Sequence, residues 1–342
     1  MYAMLFDQAR NFICSEVPDP ELKPGEVIID IQAAGLNRAD LLQRAGSYPP
    51  PPGWPEWPGL ECAGVISQAA AGSRWKVGDR VCALLGGGGY AQKVAVPEAM
   101  VSPVPKGLSM NEAAALPEVF ATAWLNLCIE AGLKKGDCVL IQAGASGLGI
   151  AAIQLVKSFG AKVVTTVGSE AKEAVVRQFG ADLVINRKKE KLSDVLADNP
   201  IDIALDCVGG PALGECLDKM APGGRWILIA TLAGAETKIL LRSVLGKGLR
   251  LIGSTLRSRS TEMKGEILKQ LEEKLWPMLE KGQIRPLIHQ VLPMTEAAEA
   301  QRILENNENI GKVILENQSQ KGCRGQVTGG RRGKCVVRGT WI

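Results

Sequence analysis

Short apolar runs with period-two alternation dominate residues 1–115. VIIDIQAAGL, AGVISQA, RVCALL and YAQKVAV each place alternate side chains on one face of an extended chain. Between them, DPELKPGE, YPPPPGWPEWP and GGGG have loop compositions. The pattern predicts an all-β unit, with the proline run at 49–52 read as a stiff loop inside it rather than a polyproline ligand.

From residue 111 the period changes. NEAAALPEVFATAWLNLCIEAG has helical spacing, and Asn111 is placed to cap it. CVLIQ, KVVTTV, DLVI, IDIALDC, RWILIA and LRLIG follow as continuous apolar runs, several separated by helical stretches such as IAAIQLVKSFG. Apolar strands alternating with helices require a parallel sheet covered on both faces. Runs near 138, 162, 183, 201, 225 and 250 predict six strands, the number in a complete dinucleotide-binding sheet.

After residue 261 the alternation stops. An amphipathic helix, EMKGEILKQLEEKLWPMLEKG, leads to HQVLPM, a helix over 295–306 and a last strand, GKVILE, which needs a partner in the first sheet. The predicted organisation is a β-rich domain of residues 1–115 and 262–316, an inserted α/β nucleotide domain of residues 116–261, and a tail of residues 317–342.

The turn between the first parallel strand and its helix reads AGASGLG. Its G-x-G-x-x-G frame falls on Gly144, Ser146 and Gly149, with Gly147 as an extra glycine and Leu148 between the last two. Glycine there permits a tight turn and lets backbone N–H groups approach a pyrophosphate at the helix N-terminus. Ser146 departs from the frame, so its side chain either turns away from the phosphates or bonds to one. At the end of the second strand an NAD enzyme places a carboxylate for the ribose 2′-hydroxyl. Here Gly168 and Ser169 stand instead, with Lys172 one turn later and Arg187 after the third strand. A hydroxyl donor, two cations and no carboxylate at the strand end predict NADPH.

Composition narrows the alternatives. No window approaches the ~18 uninterrupted apolar residues of a membrane span, and MYAMLFDQARNF lacks a secretory core. A cytoplasmic protein is expected. The nine cysteines are scattered and odd in number, which predicts reduced thiols rather than a disulfide framework. A lone histidine, His289, excludes any mechanism that needs two imidazoles. The net charge of +4 comes from residues 317–342, whose six cations and no acids leave 34 basic against 36 acidic residues elsewhere. That tail is predicted to be disordered, with nucleic-acid binding or no role at all as its two readings.

NRADLLQRAGSYPPPPG, PGLECAGVI, VGDRVCALLGGGGYAQ, AGASGLGIAAIQLVKSFGA, LDCVGG and NIGKVILE together resemble the zinc-free quinone oxidoreductases of the medium-chain dehydrogenase/reductase superfamily over residues 1–316. The chain is similar in particular to the tumour-suppressor-inducible quinone oxidoreductase subgroup, whose turn also carries serine in the glycine frame. The resemblance implies a GroES-like catalytic domain joined to a Rossmann domain, and a homodimer joined through edge strands of the nucleotide domains. The superfamily's alcohol dehydrogenases ligate zinc at positions held here by Asn37 and Leu60, so no metal is expected. Without a Lewis acid, reduction should be confined to electron-poor acceptors such as quinones or enones. By resemblance Asn37 and Tyr48 would face the acceptor, with Asp40 and Glu61 behind them. Cys207, Val208, Gly209, Ala230, Thr231, Leu232, Thr255, Leu256 and Arg257 would line the nicotinamide half. A regulatory or RNA-binding protein that binds NADPH without much turnover is the alternative from another class.

Overall fold

The structure, a computed structural model, describes residues 1–317, so the reading of the basic tail lies outside the described residues beyond its first position. A hairpin of β1 (Tyr2–Phe6) and β2 (Phe12–Glu16) opens the chain. There follow β3 (Glu26–Gly35), β4 (Glu61–Ala69), β5 (Arg80–Leu84), β6 (Lys93–Pro97) and β7 (Val101–Pro103), all antiparallel to their neighbours. The chain then builds a second sheet from β8 (Cys138–Ile141), β9 (Lys162–Val167), β10 (Leu183–Asn186), β11 (Ile201–Asp206), β12 (Met220–Leu228) and β13 (Arg250–Gly253). It returns to the first sheet with β14 (Ile288–Pro293) and β15 (Lys312–Glu316).

The second sheet has the order β10-β9-β8-β11-β12-β13, parallel throughout. This is the doubly wound Rossmann order, whose switch point between β8 and β11 opens a crevice at the carboxyl ends of the strands. The runs that predicted these strands are continuous in apolar residues because both faces are covered: Val139, Leu140 and Ile141 are all fully buried. The first sheet runs β14-β15-β3-β4-β5-β7, with β6 also on β3. The last strand finds its host as expected: β15 pairs antiparallel with β3 and parallel with β14. The fold is therefore α/β, a GroES-like β-rich sheet beside a Rossmann sheet.

One core cluster runs through both sheets, from Val27 and Ile66 to Val139 and Leu205. Helix Pro117–Ala123 lies between them and buries Val119 and Phe120. The first unit is not all-β, because NRADLLQR folds as a helix, Arg38–Arg44. The helical segment after residue 110 is also not continuous. Ser109, not Asn111, caps it with Glu112 closing a capping box, and Pro117 starts a second helix because its missing N–H suits a first turn. The long helix near the end stops at Lys274, and Trp276–Glu280 forms a separate helix with Pro277 in its first turn. Cys62, Cys82, Cys128, Cys138, Cys207 and Cys216 are free thiols.

Candidate active site

The glycine turn closes on itself without side chains. A Cβ on Gly144 would collide with the Thr165 hydroxyl, and one on Gly149 with the Gly144 carbonyl. Ser146 caps the helix Gly147–Ser158: its Oγ accepts from the Gly149 N–H at 3.0 Å. The serine thus takes over a donor that the glycine frame leaves open, and its own hydroxyl hydrogen remains for an anion. Leu148 stands partly exposed on the first turn of that helix. Gly147 has a second neighbour, since a Cβ there would strike the aliphatic stem of Lys312. The returning chain seals this contact, with the Gly311 N–H donating to the Ala145 carbonyl at 2.8 Å.

At the end of β9, the Arg187 guanidinium lies against Gly168, where a Cβ would meet Nη2 at 3.2 Å. Ser169 caps the next helix, Glu170–Gln178, with its Oγ accepting from the Lys172 N–H. Lys172 Nζ donates to the Asn307 carbonyl at 2.6 Å, and Arg38 Nη2 donates to Asn307 Oδ1 at 2.8 Å. Burial and the nearby positive charges of Arg187 and Arg38 lower the Lys172 pKa. Three cations therefore converge on one strand end. Glu170, at the start of that helix, is turned to Lys189. Sequence reasoning missed Arg38 and Asn307; Arg38 stands in the quoted NRAD segment, a signal that was present.

Buried Asp206 shapes the next loop. Its Oδ1 accepts from the Val208 and Gly209 N–H groups at 2.7 and 3.0 Å, while Oδ2 accepts from the Trp226 indole. Gly209 has φ 62°, which suits glycine. Ala233 N–H then bonds to the Val208 carbonyl, bringing the 230–232 loop beside 207–209. Burial raises the Cys207 thiol to about 11, so it is protonated at neutral pH. Thr231 and Leu232 are exposed and Ala230 partly so, on the crevice side of β12. In the third loop, Thr255 is exposed and shares a hydrogen with Ser258, whereas Leu256 is buried in the core. Arg257 is only 8% exposed and faces protein. It donates to the carbonyls of Gly86 and Tyr48 and to Gln43 Oε1, and its guanidinium stacks 4.6 Å from the centre of the Tyr48 ring. It clasps the first domain's loops to the end of β13.

The two segments compared with zinc-binding positions meet in one pocket. Leu60 is 2% exposed, an apolar side chain that offers no ligand atom. Asn37 caps helix Arg38–Arg44; its Nδ2 donates to Glu61 Oε1 at 2.9 Å and, at a long 3.4 Å, to the Gly35 carbonyl. Lys312 completes the pocket. Its ammonium donates to the Leu36 carbonyl, to Asn37 Oδ1 at 2.8 Å and to Glu61 Oε1 at 2.5 Å. Glu61 Oε2 accepts from the Glu118 N–H. Asp40 lies behind, accepting from Asn37 N–H, Gly59 N–H and the Tyr90 hydroxyl. Its burial outweighs those bonds and raises the carboxyl to about 6. Tyr48, half-buried, has its phenol pushed up by burial against the opposing pull of Arg257. His289 is exposed on β14. Among the described residues no three His, Cys, Asp or Glu side chains are grouped to hold a metal ion.

Such a cleft offers backbone N–H groups and a helix N-terminus for a pyrophosphate and three cations for a further phosphate. Its pocket has a fixed internal ammonium where a metal would need ligands. Comparison with known proteins agrees with this fold. Residues 147–273 match the zinc-binding dehydrogenase family and residues 23–106 the alcohol dehydrogenase GroES-like domain. Quinone oxidoreductase of Sus scrofa is 32% identical over 308 residues, 88% of this chain and 92% of that one. The crystal structure of quinone oxidoreductase from Thermus thermophilus, reported also in complex with NADPH, superposes with a TM-score of 0.79 at 31% identity. It covers 92% of this chain and 100% of that one. A crystal structure titled as an NAD-dependent alcohol dehydrogenase gives 0.81 at 29% identity, covering 93% and 100%. The chain belongs to the medium-chain dehydrogenase/reductase superfamily, as a quinone oxidoreductase-like, nicotinamide-dependent oxidoreductase.

Proposed function

We propose that this oxidoreductase uses NADPH, needs no metal and reduces quinones. The observation that carries the reading is the Lys312 ammonium, bound by three oxygens from the Leu36–Asn37 and Glu61 segments. All its hydrogens are engaged, so it neutralises Glu61 internally and does not polarise a carbonyl as a metal would. The acceptor must then already be electron-poor.

In this reading Gly144, Ser146, Gly147, Leu148 and Gly149 hold the pyrophosphate. Gly168 gives Arg187 room, and Ser169, Lys172 and Arg187 hold the 2′-phosphate. Loops 207–209, 230–232 and 255–257 flank the nicotinamide, with Arg257 acting on Tyr48 rather than on coenzyme. When bound, the reduced nicotinamide supplies the hydride. Tyr48 offers its phenol to the acceptor oxygen, and Asn37 offers the amide hydrogen held only at 3.4 Å by Gly35.

The pairing of copies in this reading uses β13, whose outer edge has no strand partner among the described residues. Beside it Leu240, Leu241 and Leu245 are 63, 75 and 86% exposed, an apolar group that a second copy would cover. The proposed location is the cytoplasm; no helix among the described residues is long and apolar enough to cross a membrane. Steady-state NADPH oxidation with an ortho-quinone, set against an enone of similar size, tests the assignment. Faster turnover of the quinone supports it, and faster turnover of the enone makes the chain an enone reductase. Background rates with both, NADPH still binding, leave the regulatory reading.

A further inference from the structure

Each hydride delivered to a quinone leaves an oxyanion that must gain one proton, and the pocket is lined by acids that differ in their ability to give one. Glu61 is fully buried and its oxygens already accept from Lys312, Asn37 and the Glu118 N–H. Asp40 is fully buried behind helix Arg38–Arg44 and accepts three hydrogens. His289, the chain's one imidazole, is on the exposed face of β14. Glu118 differs from all of these. It is partly exposed, it makes no ion pair among the described residues, and its one side-chain hydrogen bond among them is a long 3.5 Å approach from Thr122 Oγ1.

Its position is fixed by Pro117 at the helix start and by its own N–H on Glu61. From there its charge is felt by Tyr48 and Arg257, and the charges of Glu61, Asp40, Lys312 and Lys264 act on it in turn; Lys264 lies beside Arg257, its ammonium donating to the Arg257 carbonyl at 2.8 Å. We propose that Glu118 is the proton carrier of this site, delivering to the acceptor oxygen, directly or through Tyr48, the proton that follows the hydride. The inference rests on the quinone-reductase reading. The step balances with one proton: reduced nicotinamide gives the quinone a hydride, which is two electrons and one hydrogen, the Glu118 carboxyl gives its proton to the resulting oxyanion and becomes carboxylate, and the quinone leaves as hydroquinone. Solvent at the exposed edge of Glu118 then restores the carboxyl. Burial, reinforced by the Glu61 charge against the weaker opposition of Lys312 and Lys264, raises this carboxyl to about 8, so it holds its proton at neutral pH.

The test uses the full chain and Glu118→Gln. In the wild type, kcat with the quinone should be level up to about pH 8 and fall about tenfold per unit above it. Glu118→Gln should bind NADPH with unchanged Kd, lose about 100-fold in kcat at pH 7 and lack the alkaline limb. The infrared band of a protonated carboxyl, recorded without coenzyme, should disappear as wild type is taken through pH 8 and be missing from Glu118→Gln. Glu118→Asp, should the amide variant fold poorly, is expected to keep an alkaline limb at reduced kcat. An unchanged limb in Glu118→Gln, or no titrating band in the wild type, overturns the proposal while leaving the quinone-reductase reading in place. A wild type that turns over neither quinone nor enone overturns both.

Discussion

The ammonium of Lys312 lies 2.5 Å from a carboxylate oxygen of Glu61, and the two side chains are 5% and 0% exposed. The stem of the same lysine crosses Gly147 in the glycine turn, so one side chain joins that turn to the Asn37–Glu61 cluster. Removing one partner of such a pair leaves a buried charge uncompensated. Lys312→Met should cost about 3–5 kcal/mol in urea unfolding, and adding Glu61→Gln should recover most of that. Equal instability of the single and double variants would show that the lysine acts by packing alone.

In the proposed reading, coenzyme choice depends on the cations at the end of β9. Lys172→Ala and Arg187→Ala should each raise the Kd for NADPH about tenfold, the worth of one charge-assisted bond, and leave NADH binding unchanged. Fluorescence titration with both coenzymes checks this. Parallel losses for the two would place these cations away from the 2′-phosphate.

Stability should depend on pH through Glu118. Its carboxyl is raised from 4.5 to about 8, so across that window the folded chain keeps a proton that the unfolded chain has released. Stability from this group is present below pH 4.5 and is lost as pH rises towards 8. Asp40, raised from 3.8 to about 6, adds in the same sense over a lower window. Urea midpoints of the wild type should therefore fall relative to Glu118→Gln between about pH 5 and 8. Curves that stay parallel would mean that the carboxyl titrates normally.

Association is predicted to follow the β13 edge. Leu245→Asp, on a side chain 86% exposed, should convert a dimer into monomers in sedimentation equilibrium without lowering the thermal midpoint. A wild type that sediments as a monomer removes this part of the account.

The Rossmann sheet was legible in the sequence because its strands, buried on both faces, are uninterrupted apolar runs, and because AGASGLG stands between a strand and a helix. The number of strands followed from the count of those runs. Helix Arg38–Arg44 was not legible: NRADLLQR is short, lies between β-rich stretches, and is held by the Asn37–Asp40 capping box. The role of Lys312 was hidden for a different reason. Its partner Glu61 is 251 residues away, and a lone cation in GKVILE carries no mark of what it will meet. Arg257 shows the same limit. Its loop was expected beside the coenzyme, yet the guanidinium serves Tyr48 and Gly86, contacts that only the docking of the two sheets creates.

Chelator-treated protein of known metal content, assayed for NADPH oxidation with an ortho-quinone, tests the central claim most directly. The account predicts full turnover at a metal content near zero and no gain on adding zinc. Loss of activity on chelation, restored by zinc, would contradict it.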